Sequence, residues 1–336
     1  MDSAQCISIN KTDGQKAINI LKEENLLLSN LKPKTSDRYI FLPVNNSERA
    51  KIILDQKSIF AQICNESFDE YKYKIKRLNK EVPGISSYMI IGDIAIINYN
   101  NNMDLLKKAA VKISYMNPKI KSVYAKINTG GEYRTPRLVL LYGEEKTYTL
   151  YRENGIRFYV DVLKAYINPR LSNEHYRIAN LINDNEDILD MFTGIGGFAL
   201  NIAKLKKSNI VAVDLNPYAI SLASLNYSIN KKILRGIVNF LRADSLHLNY
   251  IIKARFDKII MNNPTKSLEF LEAACKLAKN EATIYLYLLD YNDSNLISRI
   301  KNDFRCERNF EVGSYRKVLE YNPKMSIFEV DINLKG

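Results

Sequence analysis

Two short apolar runs in this chain each end in a carboxylate. The first runs into Asp190-Met191-Phe192-Thr193-Gly194-Ile195-Gly196-Gly197-Phe198, and the second is Val211-Ala212-Val213-Asp214-Leu215-Asn216-Pro217. The order is a strand, a glycine-rich turn, a helix-like segment at Ala199 to Lys204, and a second strand with an acid at its carboxyl end. In an open parallel sheet, ligands bind beyond the carboxyl ends of the strands, and an acid there suits the two hydroxyls of a ribose. A dinucleotide loop would read G-x-G-x-x-G. Here the glycines are Gly194, Gly196 and Gly197, with an acid four residues before the first. The D-x-F-x-G-x-G loop followed by D-x-N-P reads as an S-adenosylmethionine site, with the loop backbone against the methionine part and Asp214 on the ribose.

The elements that must position this loop follow in order. Val238 to Asp244 reads as a third strand ending in an acid suited to the adenine amino group. Phe256 to Pro264 reads as a fourth, ending in Asn262-Asn263-Pro264. Pro264 has no backbone N–H and bends the chain, which leaves the Asn262 amide free at the strand tip. A helix is expected from about Ser267 to Lys279, a fifth strand over Ala282 to Leu289, and a closing hairpin over Arg316 to Tyr321 and Ser326 to Asn333. A terminal hairpin on an otherwise parallel sheet predicts the α/β fold of a class I, Rossmann-like methyltransferase.

The chain has 336 residues, room for two or three domains. Residues 1–65 read as a small α/β unit, with a helix at Gly14 to Leu28, a strand at Arg38 to Val44 and a helix at Glu48 to Asp55. Residues 66–165 read as a strand-rich α+β middle domain, with two strand pieces around Gly92-Asp93 and a helix at Asp104 to Ser114. Strands at 121–127, 137–142, 147–152 and 156–164 follow. Residues 166–336 form the cofactor domain. The net charge of +12 favours a polyanionic partner. Lys72, Lys74, Lys76, Arg77 and Lys80 cluster with Tyr71 and Tyr73. Cys6, Cys64, Cys275 and Cys306 form no C-x-x-C pair, so reduced core cysteines and no metal site are expected. No apolar run is long enough to cross a membrane, and Met1 to Gln5 lacks a signal-peptide core, which points to the cytoplasm.

Between the two larger domains runs Lys164 to Arg177. Asn173 is expected to cap a helix from Glu174 that buries Ile178, Leu181 and Ile182. With Tyr133-Arg134-Thr135, Tyr151 to Gly155, Pro169-Arg170-Leu171, Glu174, the Asp190 loop, Asp214 to Pro217 and Met261 to Pro264, the chain resembles the archaeal and eukaryotic tRNA (guanine-37, N1)-methyltransferases over nearly its whole length. The resemblance implies tRNA as substrate, a monomer, and an amino-terminal unit that docks a distant part of the tRNA. It also implies roles: Glu174 as general base at guanine N1, Arg134 against O6, Asn262 orienting the base and Tyr166 lining its pocket. The methyl donor would contact Phe192, Gly194, Gly196, Asp214, Leu215, Asp244 and Ser245. Where the family has Glu-Arg this chain has Glu174-His175, with His175 a substitute donor to cofactor or phosphate, and where it has Asn-Leu-Pro this chain has Asn262-Asn263-Pro264. The latter resembles the motifs of amino-group methyltransferases. Some archaeal members are also similar to enzymes that methylate a carbon of the wyosine precursor. Two rival readings are an aminocarboxypropyl transferase of wyosine biosynthesis and a non-catalytic RNA-binding protein.

Overall fold

The computed structural model describes residues 3–28, 31–69, 78–85, 87–131, 133, 135–291, 295–303 and 306–335. Arg134 and the run of Tyr71, Lys72, Tyr73, Lys74, Lys76 and Arg77 lie outside the described residues, as does the side chain of Lys80. Two compact units emerge, Met1–Lys76 and Arg77–Gly336.

In the first unit, strands β1 (Ser3–Asn10), β2 (Lys34–Thr35), β3 (Tyr39–Pro43) and β4 (Ala61–Ser67) form one sheet in the order β2-β3-β1-β4. Helices α1 (Gly14–Glu23) and α2 (Ser47–Gln56) bury Ala17, Leu21, Ala50 and Leu54 against Ile7, Ile9 and Leu42. The sequence showed β3 and both helices, while β1, β2 and β4 were not expected. Antiparallel register sets Cys6 opposite Cys64 with their Cα atoms 4.8 Å apart, and the two form a disulfide. Cys275 and Cys306 form a second. The expectation of four reduced cysteines is therefore corrected, because strand pairing and a late loop bring together residues far apart in sequence.

The second unit begins with α3 (Leu78–Glu81) and a four-stranded sheet of β5 (Met89–Ile91), β6 (Ile94–Asn98), β7 (Ser122–Gly130) and β8 (Thr135–Gly143). Its helix is α4 (Met103–Met116), started by the Asn102 side chain accepting from the Leu105 N–H. A hairpin, β9 (Tyr148–Glu153) and β10 (Ile156–Asp161), turns through Asn154 and Gly155, both at positive φ.

The large sheet runs β13-β12-β11-β14-β15-β17-β16. Its strands are β11 (Asp187–Asp190), β12 (Asn209–Asp214), β13 (Ile237–Arg242), β14 (Phe256–Met261), β15 (Ala278–Tyr291), β16 (Phe310–Glu320) and β17 (Met325–Leu334). The first five are parallel, and β17 enters antiparallel between β15 and β16. Strand order reverses between β11 and β14, which is where such sheets open a ligand crevice. Helices α5 (Ser172–Leu181), α6 (Gly197–Leu205), α7 (Pro217–Asn230), α8 (Leu248–Ile251), α9 (Leu271–Leu277) and α10 (Leu296–Asp303) complete the unit. Successive strand residues face opposite sides. Ile188, Ile260, Tyr285 and Tyr287 join one core with α5 and α6, and Leu189, Ile259, Ile284 and Leu286 join the other with α9. The β9–β10 hairpin is tied to this unit by α7: Asn226 Oδ1 accepts the Tyr159 N–H at 2.7 Å and Asn230 Oδ1 accepts the Arg157 N–H at 3.0 Å.

The start of α5 differs from expectation. Asn168, not Asn173, caps, accepting the Arg170 N–H into a 3-10 turn over Pro169–Leu171 that continues into the helix. Proline fixes φ at that turn and moves the helical start forward. Leu181 is exposed, and the buried face is Ile178, Ala179 and the following Ile182. No helix among the described residues is long and apolar enough to cross a membrane.

Candidate active site

The loop after β11 is shaped by two glycines in the left-handed region, Gly194 at φ 55° and Gly196 at φ 96°. Only glycine adopts that backbone without a Cβ penalty. Asp214 Oδ2 accepts the Gly194 N–H at 2.8 Å, and Oδ1 accepts the Asn216 N–H at 2.9 Å. Burial raises the Asp214 carboxyl above its ordinary range. Beneath the loop, Asp190 is fully buried, and burial pushes its carboxyl up to about 7. Asp190 Oδ2 and the Thr193 hydroxyl are buried without a hydrogen-bond partner among the described residues.

Around this rim stand the other residues expected to meet the cofactor. Phe192 meets Phe270 edge-on, with ring centroids 4.9 Å apart. Leu215 is half-buried between Asp214 and the buried Asn216. Asp244 accepts the Leu246 N–H at 2.9 Å, and the Ser245 hydroxyl donates to the Met191 carbonyl at 2.6 Å, fastening the third strand's end to the first's. A Cβ added at Gly194 would come within 3.7 Å of the Tyr166 carbonyl oxygen, so a side chain there would fill the space between loop and linker. A glycine cradle, orphaned polar atoms beneath it and an acid with lone pairs to spare at the second strand fit S-adenosylmethionine.

Glu174 sits in the first turn of α5 with its side chain 3% exposed. Arg177, one turn on, donates through Nε to Oε2 at 3.0 Å and through Nη2 to Oε1 at 2.8 Å. Tyr287 of β15 donates its hydroxyl to Oε1 at 2.6 Å, and the Arg316 guanidinium of β16 pairs with Oε2. Arg177 also binds Glu329 of β17 at 2.6 Å, and Arg316 Nε lies 3.5 Å from the same oxygen. Burial, then Asp331, pushes the Glu329 carboxyl up to about 7. A buried carboxylate is costly unless paired and hydrogen-bonded, and these partners meet that requirement. The ring of Phe198, in the first turn of α6, lies 5.6 Å from that of Tyr287, so Glu174 and the glycine loop share one packed layer.

His175 occupies the junction between α5 and the loop. A Cβ at Gly197 would collide with its ring, 2.6 Å from Cε1, so glycine is required for this close approach. His175 Nδ1 donates to Glu153 Oε1 at 2.7 Å, and that oxygen also accepts the Asn201 amide at 2.9 Å. The Tyr151 hydroxyl donates to Glu153 Oε2 at 3.1 Å, and burial followed by Glu153 pushes it well up. Asn262, half-buried just beyond β14, makes no side-chain hydrogen bond to a described residue. Its loop is fastened by the Ser267 hydroxyl on the Met261 carbonyl and by the Leu289 N–H on the Pro264 carbonyl. The half-exposed Tyr166 stands beside the glycine loop.

Arg177, Tyr287, Arg316 and Glu329 were not anticipated. Glu174 and Arg177 stand three apart on a helix, a visible pairing signal. An acid in the apolar run Ile327-Phe328-Glu329-Val330 is a second signal, since a strand there buries both faces.

Residues 149–312 match the TRM5/TYW2 methyltransferase domain, residues 67–147 the TYW2 N-terminal domain, and residues 6–52 the tRNA methyltransferase 5 N-terminal domain. The chain is 32% identical over 269 residues to tRNA (guanine(37)-N(1))-methyltransferase Trm5b of Pyrococcus abyssi, covering 80% of this chain and 78% of that protein. It is 40% identical over 146 residues to tRNA (guanine(37)-N(1))/4-demethylwyosine(37)-methyltransferase Taw22 of Nanoarchaeum equitans, covering 43% and 48%. Its fold resembles the crystal structure of Trm5b from Pyrococcus abyssi at TM-score 0.68, with 26% identity over 99% of this chain and all of that one, and the solved complex of aTrm5 and tRNALeu at TM-score 0.67, with 26% identity over 98% of this chain and 99% of that one. The chain belongs to the TRM5/TYW2 methyltransferase family.

Proposed function

We propose that this protein transfers a methyl group from S-adenosylmethionine to N1 of guanine-37 in tRNA. The observation that carries the reading is the buried, four-times-bonded Glu174 carboxylate in the same layer as the glycine loop. Guanine N1 carries a proton and is not a nucleophile until the proton leaves. Glu174 takes that proton, and Arg134 answers the charge that develops on O6. Asn262 and Tyr166 orient the flipped base. Asp214 holds the ribose, and Phe192, Gly194, Gly196, Leu215, Asp244 and Ser245 enclose the rest of the donor, with His175 ordering α5 against the loop. Bound there, S-adenosylmethionine supplies an electrophilic methyl group.

In the same reading residues 1–65 dock the tRNA, residues 66–165 and 166–336 enclose its target base, and the protein works as a cytoplasmic monomer. The relatives named for guanine-37 support the target base. A second activity, methylation of the tricyclic 4-demethylwyosine at position 37, is favoured by the Nanoarchaeum relative named for both. Nucleoside mass spectrometry of tRNA transcripts with guanine or adenine at position 37 tests the first activity. One-methylguanosine from the guanine transcript alone is expected, and a methylated adenine or no product would refute it.

A further inference from the structure

Resting on Glu174 as the base, we propose that Arg316 is a positioning residue that keeps the Glu174 carboxylate ionised and aimed, and is the partner an incoming nucleobase displaces. Oε1 is held by the fully buried Tyr287 and by Arg177, whose side chain is 30% exposed. Oε2 is held by Arg177 Nε and by Arg316, whose side chain is 40% exposed on the edge strand β16. Arg316 is the more exposed of the two guanidiniums and covers Oε2, which makes it the partner a base is proposed to displace. In the step itself the N1–H bond breaks, the proton joins Glu174, and the electron pair stays on guanine, shared between N1 and O6.

The charged and titratable groups facing Glu174 are Arg177 from α5, Tyr287 from β15, Arg316 from β16 and Glu329 from β17, with Tyr285 and Asp331 behind Glu329. The neighbouring His175 is turned to Glu153 instead. Two guanidiniums thus serve two carboxylates, Glu174 and Glu329. Without Arg316, both carboxylates share Arg177 alone, and a carboxylate that loses a cation becomes harder to ionise. The group supplied by β16 therefore sets the pH at which the base is ready.

The test is the single-turnover methylation rate of a guanine-37 transcript, measured from pH 6 to 9 for wild type, Arg316→Ala, Arg316→Lys, Glu329→Gln and Glu174→Gln. Arg316→Ala should lower the rate at the acid end of the profile and move the midpoint of its rise upward by about one unit, with donor affinity within twofold of wild type. Arg316→Lys should restore most of the profile. Glu329→Gln, which frees both guanidiniums for Glu174, should move the midpoint downward, so the idea stays testable even if Arg316→Ala does not fold. A pH profile of Arg316→Ala parallel to wild type, or an upward or absent shift in Glu329→Gln, overturns the inference. Should Glu174→Gln turn over at the wild-type rate, the base assignment itself fails. An inactive Glu174→Gln beside a parallel Arg316→Ala profile refutes the Arg316 role alone.

Discussion

At the residue scale, two carboxylates near the crevice carry opposite expectations. Asp214 accepts the Gly194 and Asn216 N–H groups through its two oxygens, so Asp214→Ala removes the proposed ribose partner and orphans two N–H donors at once. A lost acceptor of this kind costs about 1–3 kcal/mol, so donor affinity should fall about fivefold to a hundredfold in calorimetry. Unchanged affinity would take Asp214 off the ribose. Asp190 is a buried acid whose carboxyl rises from 3.8 to about 7. The folded protein then binds a proton that the unfolded chain has released, so this group's stabilisation is full below pH 3.8 and is lost as pH rises through 7. The contribution is at most about 4 kcal/mol. Asp190→Asn should flatten the fall in denaturant midpoint between pH 4 and 7, and an equal slope in both proteins would show that another group is responsible.

At the element scale, the glycine loop and the closing hairpin do different work. Gly196→Ala places a Cβ at φ 96° and 3.2 Å from Leu200, so it should cost about 1–2 kcal/mol and weaken donor binding together with stability. Differential scanning calorimetry with and without donor checks both. The loop was legible because glycine placement after an apolar run is a local signal. The four strands of the crevice were legible for the same reason, each being a short apolar run ending in a polar residue. Three strands of the amino-terminal sheet were not, the two-residue Lys34–Thr35 among them. Ser3–Asn10 mixes polar and apolar residues, and Ala61–Ser67 is an edge strand with little buried face. The Asn173 cap failed where Pro169 drew the helical turn forward. The partners of Glu174 were hidden because Tyr287 lies 113 residues away and meets it only after the sheet has closed. No local pattern encodes that contact, whereas Arg177 at three residues' spacing was readable.

At the scale of the whole molecule, residues 1–76 have a core of their own, built from Ile7, Leu21, Leu42 and Leu54. Removing them should leave donor affinity within twofold and the melting temperature of the remainder within a few degrees, while tRNA affinity drops tenfold or more. Filter binding with a full-length transcript reads the difference, and equal tRNA affinity would deny the unit a docking role. The charge of +12 means that this affinity should fall steeply with salt.

We assign to the buried Glu174 carboxylate the removal of the proton from the target base. Its most direct measurement is the single-turnover rate of 1-methylguanosine formation by Glu174→Gln beside wild type, at saturating donor and a guanine-37 transcript. The account predicts a loss of about a hundredfold or more with donor affinity intact. A rate within a few-fold of wild type would contradict it.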